Sequence, residues 1–414
     1  MVEQILGSIQ IDNGRMVAHW NGIILESVFQ PVFGVAQRRI IGFEALARGR
    51  GPNGQPLYPQ GIFPMAKTTE EIVFLDRLLR SLHLLNFREM SDHSFWLFLN
   101  VNPVVATRGR NYGRFFEDIL SWTGIHPHQL VIEILESAIE QEVLLSEAAE
   151  YYRSCGTLIA IDDFGAGHSN FNRIWSIKPE IVKLDRSTIL HASKNSEVRR
   201  VLPELVGLIR ASGSLCLIEG VETSDECRIA LGTDVDFLQG FYFSHPHKKP
   251  DLTSSQRFDD IIDSTRQQNR DREDRDHLNR IIDLFLALVG EAENGRSREI
   301  LLQIFSEFPC SIRYFVLDHR GRQYGDNQER LSSNTQDSRF HPLNDTKRAL
   351  WSHRGYFRHA VSNPGHLHIS SPYLSTTGVH MCRTLSIAIS TTKGLFVHCL
   401  DLDWRADTSS SIHQ

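Results

Sequence analysis

The chain predicts an α/β fold, a modified (β/α)8 barrel with an antiparallel first strand, followed by a smaller α+β unit joined to it by a charged helix. Three observations predict it. Seven apolar runs in the first 246 residues each end in a carboxylate, an amide or a lysine, and they read FEALAR, LFLN, VIEILE, AIDDFG, VKLD, LIEGVE and FLQG. Segments of helical periodicity lie between the runs, which implies crossover connections and a mostly parallel sheet. With 414 residues, the chain can hold one barrel of ~250 residues and a second unit besides.

Along the chain, VFQPVFG and RRIIGFEALAR pair as an antiparallel hairpin. Only a few residues around Val35 to Gln37 separate them, too few for a crossover helix. TEEIVFLDRLLRSLHLL from Thr69, RFFEDILSWTG from Arg114 and EVRRVLPELVGLIRASG from Glu197 have the apolar spacing of helices laid against a sheet. From Asp251 the character changes to QRFDDIIDSTRQQNRDREDRDHLNRIIDLFLALVG, a solvated connector with short apolar stripes near its ends. Beyond Arg296, SIRYFVLDHRGRQYGDN reads as a strand running into a turn, and SIAISTTKGLFVHCLDLDW as a closing hairpin. The expected domains are residues 1–250, the barrel; 251–295, the connecting helix region; and 296–414, the second unit.

Composition narrows the partners. Hydrophobic content of 41% and charged content of 23% are ordinary for a globular chain. A net charge of -6 opposes sequence-independent DNA binding, which rests on accumulated Lys and Arg. The six cysteines show no metal-type CxxC spacing and read as reduced thiols. MVEQILGSIQ carries an acid where a signal peptide carries Lys or Arg, and no apolar run approaches the ~20 residues that span a bilayer. A cytoplasmic protein with no membrane partner is expected.

The chemistry lies at the ends of the apolar runs. In a parallel barrel, side chains at the strand C-termini converge on one rim. That rim gathers Glu44, Asn100, Glu133, Asp162, Asp163 and Glu219, an oxygen set suited to hard cations such as Mg²⁺ or Mn²⁺. Adjacent Asp162 and Asp163 can serve two ions, and Lys183 supplies a cation beside an attacking water or a developing negative charge. Clustering so many acids without cations would be repulsive. The expected chemistry is phosphodiester hydrolysis.

In order and spacing, FQPV, EALAR, LFLNVNP, EILES, DDFGAGHSN, PEIVKLD, EGVET and DFLQGFYFSHP resemble the EAL domain, the phosphodiesterase module that linearises cyclic di-GMP. The resemblance implies one ion on Glu44, Asn100, Glu133 and Asp162 and a second on Asp162, Asp163 and Glu219. It makes Lys183 and Gln239 parts of the catalytic shell, Glu219 a candidate base and Glu136 the anchor of the loop that begins DDFGAG. Arg48 would contact a phosphate, Gln30 and Leu46 would lie near a guanine, and Asp185 and Glu222 join the substrate side. The implied function is hydrolysis of cyclic di-GMP to linear pGpG with two Mg²⁺ or Mn²⁺ ions, in a homodimer. The alternative is a catalytically silent cyclic di-GMP receptor. The second unit resembles PAS-like or cache-like domains, which implies sensing or dimerisation, with a ligand its residues do not name.

Overall fold

The computed structural model describes residues 2–89, 95–108, 115–135, 142–166, 171–267, 271–292, 296–330, 349–375 and 381–403. The chain forms two compact units, Met1–Gln268 and Asn269–Gln414. The division falls within the stretch expected as a connector.

The first unit is built on β1 (Ile9–Asp12), β2 (Arg15–Trp20), β3 (Ile23–Gly34), β4 (Arg39–Arg50), β5 (Pro56–Leu57), β6 (Trp96–Val101), β7 (Leu130–Leu135), β8 (Leu158–Phe164), β9 (Ile181–Leu184), β10 (Leu215–Ile218) and β11 (Phe237–Leu238). Strands β3, β11, β10, β9, β8, β7, β6 and β4 are neighbours in that order, and pairing of β3 with β4 closes them into an eight-stranded barrel. β3 is antiparallel to both β4 and β11, while every other barrel pair is parallel. The irregular start follows from the short β3–β4 connection, which leaves no room for a crossover.

β1 and β2 were not foreseen, although the sequence signals them. Asn13-Gly14 and Asn21-Gly22 both adopt positive φ, at 49° and 76° and at 45° and 76°, the backbone that two-residue hairpin turns demand. They join β1 to β2 and β2 to β3 as antiparallel pairs.

Inside the barrel, Val32, Phe98, Val131, Ala160, Ile181, Leu217 and Phe237 form one apolar cluster, with one residue from each of seven strands. The opposite strand faces, including Phe43, Ala45, Leu97, Leu99, Ile132 and Ile161, pack with the surrounding helices into the larger core. The helix Thr69–Arg88 is one of these, begun by Thr68, whose hydroxyl accepts from the Glu71 N–H at 3.2 Å.

Within the charged stretch the described residues include two helical segments, Ser254–Gln267 and Asp271–Gly290. Each end of the stretch carries an apolar stripe, and each stripe has its own core to fill. Phe258 and Ile262 are buried in the barrel unit, where Phe258 stacks on Phe33 at 4.6 Å. Ile281, Phe285 and Leu288 join the core of the second unit.

That unit has β12 (Ser311–Asp318), β13 (Gln323–Glu329), β14 (His368–Ile369), β15 (Tyr373–Leu374), β16 (Met381–Thr391) and β17 (Gly394–Asp403). The antiparallel order is β13-β12-β17-β16-β14, with β15 beside β16. Alternation divides its faces. Tyr314, Leu385 and Leu400 pack on the helices Asp271–Gly290 and Ser297–Glu307, while Phe315, Ala388 and Cys399 pack with Tyr356, Phe357 and Ala360 of the helix Gly355–Ser362.

Candidate active site

The strand period of two places the site directly above the apolar plug. Two residues beyond Phe98, Val131, Ala160, Ile181, Leu217 and Phe237 stand Asn100, Glu133, Asp162, Lys183, Glu219 and Gln239. On antiparallel β3 the count runs backward, from Val32 to Gln30, which pairs with Glu44 across the ladder. One pleat above the hydrophobic layer, the barrel turns polar.

The Lys183 ammonium sits at the centre. It pairs with Glu133, with Glu219 Oε1 at 2.6 Å, with Asp162 Oδ1 at 3.0 Å and with Glu44 Oε1 at 3.9 Å. Glu44 is held from both sides, by Asn100 Nδ2 donating to Oε1 at 3.0 Å and Gln239 Nε2 donating to Oε2 at 2.8 Å. Glu133 and Lys183 are each 1% exposed. Burial alone would drive the Lys183 ammonium to neutrality, yet Asp162, Glu133, Glu219 and Glu44 hold its pKa well above the usual lysine range. Burial and the neighbouring acids push the Glu133 and Glu219 carboxyls well up, against the pull of Lys183. The cluster has more acid than its single lysine offsets.

Asp162 and Asp163 owe their placement to an irregularity in β8. The pairing with β9 shifts register between Ile161 and Phe164, and Asp163 adopts φ +57°, a left-handed backbone that few residues other than glycine take. The bulge breaks the alternation that would send neighbouring side chains to opposite faces. Burial, then Asp162 and Asp185, pushes the Asp163 carboxyl up to about 6. At the far side, Gly240 lets the β11 end meet the loop of Val221. A Cβ there would stand 2.0 Å from Val221 O, and the Val221 N–H donates to Gln239 O at 3.1 Å.

The other expected residues divide. Gln30 is buried, its Nε2 donating to Ser244 O at 3.5 Å. Leu46 and Arg48 follow Glu44 at the strand period and are half-buried, with the Arg48 guanidinium 5.0 Å from the Tyr58 ring centroid. Two acids also have local partners of their own. Asp185 caps the helix Arg186–Lys194 by accepting from the Ser187 N–H at 2.9 Å, and Glu222 pairs with Arg186 through both oxygens. Both stand just past strand ends, where a helix start or a nearby arginine competes for a carboxylate. Glu136 lies outside the described residues. Arg186 and Tyr58 were missed because neither belongs to a run that ends at the rim.

Among the described residues no group of three His, Cys, Asp or Glu side chains stands in a metal-holding arrangement; the acids pair with the Lys183 ammonium instead. The donor set nonetheless fits hard cations. Glu133 Oε2 and Gln239 Oε1 are buried oxygens with no hydrogen-bond donor, and every candidate ligand offers oxygen.

A family model described as EAL domain matches residues 24–246. Probable cyclic di-GMP phosphodiesterase PdeB of Escherichia coli is 26% identical over 235 residues, 54% of this chain and 43% of that protein. PdeN of the same organism, also named a probable cyclic di-GMP phosphodiesterase, is 28% identical over 221 residues, 53% of this chain and 42% of that one. The chain thus spans less than half the length of these curated relatives. The Bacillus subtilis YkuI protein, with an EAL domain, in complex with substrate c-di-GMP and calcium, aligns over 92% of this chain and 96% of its own, with a TM-score of 0.72 and 20% identity. That likeness extends the shared fold into the second unit.

Proposed function

The chain belongs to the EAL domain family, and we propose that its barrel hydrolyses cyclic di-GMP to linear pGpG. The observation that carries this reading is the convergence of Glu44, Glu133, Asp162 and Glu219 on one lysine, with Asn100 and Gln239 clamping Glu44. No stability argument calls for so many acids at one mouth, since a buried charge cluster seldom outperforms apolar packing. A phosphodiester substrate and divalent cations give it a use.

Glu44, Asn100, Glu133 and Asp162 would hold one Mg²⁺ or Mn²⁺ ion, and Asp162, Asp163 and Glu219 the second. Held there, such a pair would supply an activated water and charge stabilisation for the leaving oxygen of an in-line displacement at phosphorus. The protein's own groups do the rest. Arg48 offers its guanidinium fork to a phosphate, while Gln30 and Leu46 provide an amide edge and an apolar surface for a guanine. The water oxygen bonds to phosphorus as Glu219 accepts its proton, one P–O bond of the ring breaks, and that proton passes on to the freed oxygen. The Lys183 ammonium offsets the negative charge that builds on phosphorus. Asn100 and Gln239 fix the Glu44 carboxylate so that no reorganisation is needed at the moment of reaction.

The family resemblances of both units favour a homodimer, with the second unit modulating the barrel. The test is incubation of the purified chain with cyclic di-GMP and Mg²⁺, Mn²⁺ or no ion, followed by chromatography. Formation of pGpG with either ion and none without is expected. Tight binding with no pGpG under any condition would make the protein a silent receptor.

A further inference from the structure

In the second unit, the helices cover only part of one sheet face. Tyr314, Leu400 and Leu385 form a row across β12, β17 and β16 and lie under the helices Asp271–Gly290 and Ser297–Glu307. One row along the strands, Tyr324, Val316 and His398 stand side by side across β13, β12 and β17, and residues opposite one another in a ladder share a face. This row lines a cleft of about 660 Å³, together with Phe396 on the sheet side and Ala292 and Ser297 on the helix side. That volume falls in the range of small-molecule sites, about 300–1,000 Å³.

The floor of the cleft holds a donor that the fold does not use. His398 is 6% exposed and lines the cleft, with its Nδ1 2.6 Å from the Tyr314 hydroxyl. Burial raises the Tyr314 pKa and keeps the phenol protonated. The phenol has no other hydrogen-bond partner among the described residues, so its O–H donates to Nδ1. The ring hydrogen of His398 therefore sits on Nε2, on the other edge of the ring, where no described residue accepts it. Burial pushes the His398 pKa from 6.5 down to about 4, so the free donor is uncharged at neutral pH.

The apolar surface of the cleft is mostly aromatic. Tyr324 is 54% exposed and meets Phe396 edge-on, with 4.8 Å between ring centroids, while Phe396 and Val316 are half-buried. The charged residues of the lining are Lys393 and Asp326, one of each sign and both exposed. An anion would find no net positive charge to offset its desolvation, whereas a neutral acceptor matches a neutral donor.

We propose that this cleft binds an uncharged planar aromatic compound, whose carbonyl or ring-nitrogen acceptor takes the His398 Nε2–H while its rings lie against Tyr324, Phe396 and Val316. Aromatic walls reward a flat ring beyond the area it covers.

Isothermal titration of the full chain with 1-naphthamide, 1-naphthoate and decahydro-1-naphthamide tests this, since the second ligand adds a charge and the third removes planarity. 1-Naphthamide should bind saturably and more tightly than either of the others. Replacing Tyr314 and His398 together by Phe keeps the ring shapes and leaves neither partner orphaned, and it should weaken 1-naphthamide by about tenfold, the weight of one hydrogen bond. Tyr324→Ala, at an exposed position that the core does not need, should weaken it by about threefold or more while the circular dichroism spectrum stays that of the parent. No saturable binding, 1-naphthoate or the decahydro compound binding as tightly as 1-naphthamide, or an affinity unchanged in either variant would each overturn the proposal. The readout does not depend on turnover at the barrel.

Discussion

Lys183 is the residue on which the ion-free site balances. Removing one partner of a buried charge group costs roughly 3–5 kcal/mol, because the charges left behind have neither water nor a counter-ion. Lys183→Met should therefore destabilise the ion-free barrel by about that amount and abolish pGpG formation. Mn²⁺ should also raise its melting temperature by more than it raises that of the parent, since the cation takes over the missing charge. Equal Mn²⁺ shifts in the two proteins, measured by thermal denaturation, would mean that ion and lysine do not share the same acids. Asp163 separates charge from backbone. Asp163→Asn keeps a residue that tolerates positive φ, so it should lose turnover at nearly unchanged stability, whereas Asp163→Val should also lose roughly 1–2 kcal/mol to left-handed strain. His83 links the fold to pH. It is buried with its Nδ1 2.8 Å from Ser27 Oγ, and burial, then the charge of Arg48, pushes its pKa from 6.5 down to about 3. The folded ring stays neutral while the unfolded one gains a proton below pH 6.5, so its contribution to stability is full above that pH and lost as pH falls toward 3. The urea midpoint should fall more steeply between pH 6.5 and 4 in the parent than in His83→Gln.

At the scale of the element, the period of two made most of the site legible. A strand ending FLN, VIE or VKL carries its last polar residue on the same face as the apolar residue two places earlier, so packing of one fixes the direction of the other. The same rule fails at Asp162-Asp163, where adjacent residues serve one site and only a bulge allows it. It is silent on Asp185 and Glu222, which lie beyond the strands, where caps and ion pairs decide. The charged stretch after Asp251 is a different case: its average composition is that of a solvated connector, while the apolar stripe at its near end, Phe258 and Ile262, completes the barrel's core. A fragment 1–268 should consequently fold as a cooperative unit, whereas 1–250 should be destabilised by at least the roughly 3–5 kcal/mol typical of deleting one buried Phe. Phe258→Ala in the longer fragment should reproduce a comparable part of that loss. Equal stability of the two fragments in urea would show the helix Ser254–Gln267 to be an ornament.

For the whole molecule, the apolar layer of the barrel and the charged layer above it divide the labour. The plug of Val32, Phe98, Val131, Leu217 and Phe237 is made of apolar side chains alone and contains none of the candidate ligands, and Lys183 offsets part of the acid cluster. Structural metal sites behave otherwise, since their ligands come together only with the ion and chelation unfolds the chain. Here chelation should silence the protein while leaving it folded. With EDTA in excess, pGpG formation should stop and the circular dichroism spectrum should remain that of the untreated chain; restoring Mg²⁺ or Mn²⁺ should return activity without a refolding lag. Cations should raise the melting temperature by mass action alone, in proportion to the logarithm of their concentration above the dissociation constant. If EDTA collapsed the spectrum, the acids at the rim would be holding the barrel together, and their convergence would no longer argue for hydrolysis.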